Sequence, residues 1–108
     1  MAELESDGGA RGTVETRRAD NGTAYVTLGG ELDISNAGAL QAAIDPIIDT
    51  KPETLVFELG KLSFMDSSGI SVLLYAASHV DRVELREATA IIRRVLEATG
   101  VTEVLHLT

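Results

Sequence analysis

Residues 63–74 read SFMDSSGISVLL, and the fold turns on how this stretch is read. An apolar run ends at Met65, breaks through Asp66, Ser67, Ser68 and Gly69, and resumes at Ile70. Just upstream, TLVFEL at 54–59 is short, apolar and β-branched, as a buried strand is. Just downstream, Ile70, Leu73, Leu74 and Ala77 recur at helical spacing to about Ser78 and make an apolar stripe. A buried strand handing over to an amphipathic helix through a short polar turn is the unit from which α/β domains are built.

Working outward from this unit, the chain before it opens with a hairpin. In TVETRRADNGTAYVTLGGEL, Asn21-Gly22 lies between two strand-like runs and suits the left-handed conformations of a two-residue type I′ turn. In the second run Ala24, Val26 and Leu28 share one face, and Tyr25 and Thr27 take the other. After Gly29-Gly30, the residues Ala37, Leu40, Ala43, Ile44, Ile47 and Ile48 fall at helical spacing, with Ser35 as N-cap. Pro46 removes a backbone donor late in this helix and predicts a kink in its last turn, not a break in the fold.

The chain after it reads RVEL at 82–85 as a short strand. ATAIIRRVLEATG then makes a helix with Ile91, Ile92, Val95 and Leu96 inside and Gly100 as its stop. TEVLHL ends the chain as a last strand. The order β-β-α-β-α-β-α-β predicts a small α/β domain: a mixed β-sheet in two layers, since three helices barely cover two faces. Residues 1–11, polar, acidic and glycine-containing, read as a flexible leader, and 12–108 as the single domain.

Bulk properties narrow the function. Nine basic against seventeen acidic side chains give a formal charge of −8, which repels phosphate backbones and anionic lipid and argues against nucleic-acid or membrane-surface binding. An acidic surface meets basic patches on other proteins more readily. With no cysteine there is no disulfide framework, thiol catalysis or thiolate metal site, which suits a reducing cytoplasm. No window approaches ~18 consecutive apolar residues, the length of a membrane span. Only two Phe, two Tyr and no Trp are present, so the core is aliphatic.

The polar break at 66–69 has three readings. As a helix start, it offers Asp66, Ser67 or Ser68 as the cap for free N–H groups. As a modification site, it offers two adjacent hydroxyls, one more than a cap needs, at a helix terminus that favours anions. As a hydrolase elbow, it lacks the first glycine of G-x-S-x-G, because Met65 takes that place ahead of Ser67. The two histidines, His79 and His106, read as surface or strand residues, not as a general base. No phosphate-binding P-loop is present. The acidic pairs Glu31/Asp33 and Glu84/Glu87 read as solvated faces or interaction surface, not as metal ligands. These residues point away from enzyme chemistry, and no cofactor is implied.

Two segments together resemble a known family. GGELDISNAGAL, followed about thirty residues later by LSFMDSSGISVLL, is similar to the STAS family and specifically to its bacterial anti-sigma factor antagonists. AIIRRVLEATGV resembles the helix and glycine stop near the end of that domain, so the resemblance runs over roughly 12–106. It implies a mixed sheet with helices packed mainly on one face. It also implies that Ser67 is the phosphoacceptor for an anti-sigma factor with serine kinase activity. Asp66, Ser68 and Gly69 would support that site, and Glu31 and Asp33 would engage the partner. A metal-dependent serine phosphatase would reset the switch. The alternative within the family is a STAS scaffold subunit of a larger stress-signalling or lipid-transport assembly. The chain departs from the family at YAASHVDRVEL, where a longer helix and a glycine-bearing loop are usual, which implies a shortened second helix or following strand.

Overall fold

The computed structural model describes residues 2–4, 11–19 and 21–108. Six strands form one sheet in sequential order: β1 (Ala2–Leu4), β2 (Gly12–Arg18), β3 (Thr23–Leu32), β4 (Thr54–Met65), β5 (Arg82–Arg86) and β6 (His106–Leu107). β1/β2 and β2/β3 pair antiparallel, whereas β3/β4, β4/β5 and β5/β6 pair parallel. Each parallel step needs a crossover, which α1 (Ala37–Asp49), α2 (Ser67–Ala77) and α3 (Ala90–Ala98) supply in turn.

The helices pack on a single strand face. Leu40, Ile44 and Ile48 of α1, Ile70, Leu73 and Ala76 of α2, and Ile92 and Leu96 of α3 join one cluster with the inward residues of the strands. Ala24, Val26 and Leu28 of β3 belong to that cluster, and Tyr25 and Thr27 of the opposite face do not, as their alternation predicts. Each large aliphatic side chain so buried contributes roughly 1.5–3 kcal/mol. The hydroxyl of Tyr75 donates to Asp45 Oδ1 at 2.9 Å and ties α2 to α1.

The uncovered face is polar and paired internally. Register aligns Arg17, Tyr25, Val56 and Glu84 in one row and Thr27, Glu58 and Arg86 in the next. The Arg17 guanidinium lies 3.9 Å over the Tyr25 ring, Thr27 donates to Glu58 at 2.9 Å, and Arg82 and Arg86 each bond Glu84 at 2.9 Å. Beneath these side chains Val56 is fully buried.

Several elements differ from the sequence-based expectations. Part of the stretch read as a flexible leader, residues 2–4, is a strand paired with β2 and anchored by buried Leu4; residues 5–10 lie outside the described residues. Around Asn21-Gly22 the strand ends do not close in the two-residue type I′ turn expected. The Ala19 N–H bonds the Thr23 carbonyl, and of Asn21 and Gly22, both of which a type I′ turn holds left-handed, only Gly22 is so, at φ 82°. Strand β4 does not stop at Leu59 but continues to Met65, through two shifts of register against β3. As expected, by contrast, Pro46 does not break α1, which runs through it to Asp49. Ile91 and Leu74, read as inward, are exposed; each sits one position round the helix from a buried neighbour, Ile92 and Leu73. The final strand is only two residues, because Val101–Glu103 forms a 3₁₀ turn after Gly100 at φ 73°.

Candidate functional site

The site is built where β3 and β4 end side by side. Gly30 and the two register shifts bring the strand ends level. Gly30 holds φ 76°, and a Cβ there would overlap the Arg11 carbonyl of β2's approach, so only glycine fits. By the last pair, Leu32 faces Met65, and the Asp66 N–H donates to the Leu32 carbonyl at 3.1 Å. The loop that starts at Asp33 therefore lies against the turn that starts at Asp66, at the carboxyl ends of parallel strands, where α/β sheets place their ligand sites.

Of the three capping candidates, Asp66 is the cap. Its backbone is extended and its Oδ1 accepts the Ser68 N–H at 2.8 Å, satisfying one orphan donor of α2. Ser67 and Ser68 are then the first two helical residues. The Ser67 side chain is exposed and its hydroxyl has no hydrogen-bond partner among the described residues; its carbonyl accepts from Ser71 Oγ at 3.0 Å. Ser68 is half-buried. Gly69 is buried for a packing reason: a Cβ would come within 2.5 Å of Met65 Cγ and 3.3 Å of Leu32 Cβ. It lets the first turn of α2 sit directly on the two strand ends.

The Asp33 loop is held by its own side chains. Asp33 Oδ1 accepts the Ser35 N–H at 2.8 Å and the Ser35 hydroxyl, and the Asp33 carbonyl accepts the Ala37 N–H at 3.0 Å. Ser35 is thus not the cap of α1; Asn36 occupies that position and uses its side chain differently. Asn36 Oδ1 accepts the Asp33 N–H at 3.1 Å, and Nδ2 donates to the Glu31 carbonyl at 2.8 Å. Asn36 is the one polar or charged side chain buried in full among the described residues. The sequence reading missed it. Its signal is the Asp-x-x-Asn spacing at a helix start, a cap-like pattern that the serine between them masked.

Asp33, Asp66 and Ser67 are brought together by this arrangement. Glu31 is not beside them in the same way: it is exposed on the uncovered face, as register partner of Phe64, while buried Leu32 points to the core. Neither histidine reaches Ser67. His79 lies two residues beyond the far end of α2, a helix of eleven residues that spans roughly 16 Å by helical rise, and bonds the Tyr75 carbonyl at 2.8 Å. His106 is an exposed residue of β6 beside Glu84. Glu84 is held by two arginines, and those hydrogen bonds, to Arg82 first and Arg86 second, keep its carboxyl below the usual carboxylate range. Among the described residues no helix is long and apolar enough to cross a membrane.

A mixed sheet covered on one face, with an acid-flanked serine turn at the carboxyl ends of its central strands, defines a small α/β module that presents an exposed hydroxyl at a helix start. The family model for the STAS domain matches residues 14–108. This chain belongs to the STAS domain family. It is 38% identical over 53 residues to the anti-sigma-F factor antagonist RsfB of Mycobacterium tuberculosis, a match over 49% of this chain and 43% of that relative's length. A crystal structure of an anti-sigma factor antagonist from Mycobacterium paratuberculosis superposes with a TM-score of 0.78 at 27% identity, over 89% of this chain and 84% of the other. The anti-sigma factor antagonist SpoIIAA in its unphosphorylated form shares the fold, with a TM-score of 0.75 at 24% identity over 89% of this chain and 88% of the other.

Proposed function

We propose that this chain is an anti-sigma factor antagonist that works in the cytoplasm as a substrate and ligand and performs no chemistry of its own. Unphosphorylated, its Asp33 loop and Ser67 turn dock on an anti-sigma factor with serine kinase activity, and the sigma factor is released to RNA polymerase. The kinase transfers the γ-phosphoryl group of ATP to Ser67 Oγ, leaving ADP. A serine phosphatase removes the phosphate and restores the binding form.

One observation carries this reading: the Leu32–Met65 register and the Asp66-to-Leu32 hydrogen bond set the Asp33 loop against the turn where Asp66 precedes an exposed Ser67 at the start of a helix. Phosphorylation at that hydroxyl adds about −1.5 to −2 charges in one step. Placed next to Asp33 and Asp66, this charge opposes any partner surface matched to the unmodified site, without movement of the backbone. The names of the relatives, RsfB and the Mycobacterium paratuberculosis protein, support the partner class.

The test is incubation with ATP and the purified serine-kinase anti-sigma factors of the source organism, with phosphosite mapping by mass spectrometry. Phosphate on Ser67, lost in Ser67→Ala and retained in Ser68→Ala, is the expected result. Phosphate found only on Ser68 or on a threonine overturns the assignment.

A further inference from the structure

Ile34 stands on the rim of the site with 83% of its surface exposed, more than any other large apolar side chain among the described residues. Scattered surface hydrophobics are ordinary, so exposure alone carries nothing. The backbone that holds Ile34 is what sets it apart. It is flanked by Asp33, whose amide is bound by Asn36 and whose carboxylate is bound by Ser35, and Asn36 is itself buried and tied to the Glu31 carbonyl. Turning Ile34 inward would break these bonds. A β-branched side chain with few rotamers on a braced loop loses little freedom when a partner covers it. Two more exposed apolar side chains belong to the same elements. Phe64 (45%) lies beside Glu31 at the end of β4, and Leu74 (36%) shares the exposed stripe of α2 with Ser67 and Ser71.

We propose that Ile34 is the apolar anchor of the docking surface and inserts into a hydrophobic pocket on the anti-sigma factor, rimmed by basic side chains that meet Asp33 and Asp66. This rests on the partner class proposed above. Charge selects this occupant over a second copy of the chain. Self-association through this rim would set Asp33 and Asp66 against their own counterparts, on a protein that already carries −8. The carboxylates then steer encounter and register, and Ile34 sets residence time, so the phosphate switch and the anchor are separable contributions.

The test is calorimetric titration of wild type, Ile34→Ala, Ile34→Leu and Val104→Ala into the purified serine-kinase anti-sigma factor, with melting temperature measured for each. Val104 is exposed but lies before β6, at the opposite end of the parallel strands, and serves as the control. Truncating a covered Ile to Ala should weaken binding roughly tenfold or more. Ile34→Leu should stay within a few-fold of wild type, Val104→Ala should match it, and melting temperatures should hold. Equal affinity of wild type and Ile34→Ala overturns the anchor while leaving the partner intact. So does a loss as large in Val104→Ala. A wild-type dimer in sedimentation that Ile34→Ala dissociates, with kinase affinity unchanged, assigns Ile34 to self-association and overturns it too. Failure of wild type to bind any such kinase overturns the partner reading and the anchor together.

Discussion

Leu32 and Met65 are register partners on adjacent parallel strands, and the residue after Met65 returns its amide to the Leu32 carbonyl at 3.1 Å. Both side chains are buried, so the two strand ends form a common floor under Gly69. Everything in the site stands on that floor: the Asp33 loop on one side, the Ser67 turn on the other. Changes to the floor, the loop and the turn therefore have distinct consequences.

Gly69→Ala places a methyl group against Met65 and Leu32, where no space exists. Overpacking of this kind costs about 1–3 kcal/mol, or roughly 4–8 °C in melting temperature for each kcal/mol in a domain near this size. Thermal denaturation followed by circular dichroism measures it. An unchanged melting temperature would show that α2 does not sit directly on the strand ends.

Asn36→Ala removes the side-chain partner of the Asp33 amide and of the Glu31 carbonyl together, both in part-buried hydrogen bonds. Losing a polar partner costs about 1–3 kcal/mol where water cannot replace it, so Asn36→Ala should destabilise by about that much. Asn36→Asp keeps the acceptor but turns a carboxylate oxygen toward the Glu31 carbonyl, and should also destabilise. Urea denaturation of both variants decides this, and wild-type stability in Asn36→Ala would remove Asn36 from its bracing role.

Asp66→Ala removes the cap of α2 and should cost about 0.5–2 kcal/mol. The loss concentrates at the start of the helix, so amide hydrogen exchange should rise first at Ser68 and its neighbours. Ser67→Ala, whose hydroxyl makes no hydrogen bond among the described residues, should leave stability within about 0.5 kcal/mol of wild type. Equal destabilisation by the two would mean that Ser67 is also structural.

Ser67→Asp mimics part of the proposed phosphate charge beside Asp33 and Asp66. Binding to the anti-sigma factor should weaken at least roughly tenfold, about 1.4 kcal/mol, and the deficit should shrink with added salt. Unchanged affinity in a calorimetric titration would remove electrostatic repulsion as the basis of the switch.

Glu84 links acid stability to the uncovered face. Its carboxyl is held below the usual range by Arg82 and Arg86, so its folded-state value is depressed relative to the unfolded chain. The stabilisation is present above the unfolded value and is lost as pH falls through the folded one. Glu84→Gln should therefore be less stable than wild type at neutral pH, and the two should converge in acid. A constant difference in melting temperature across that range would argue against the ion pair as its source.

Much of the architecture was legible because local chemistry and tertiary demand agree. The alternation in β3, the apolar stripes of the helices and the glycine stop at Gly100 each obey a single period or rule. The end of β4 was illegible for a definite reason. Its buried residues after Phe57 are Leu59, Leu62 and Met65, three apart, because two bulges each insert a residue. A run with period three no longer reads as a strand, and the Gly60-Lys61 pair reinforces the appearance of a stop. Ile91 and Leu74 were misplaced because an apolar residue beside another falls on either flank of a helical stripe, and only packing decides which is covered.

The motif residues, their order and the acid-flanked serine were determined by the sequence, because cap chemistry, turn chemistry and charge act over a few residues. Their assembly was decided only in three dimensions. Asp33 and Asp66 are thirty-three residues apart along the chain and become neighbours through β-ladder register, which two bulges adjust and no local pattern encodes. The roles of Asn36 and Ile34 came from the same source. One is buried and one is bare because of where the loop lies on the strand ends, although two positions separate them in the chain.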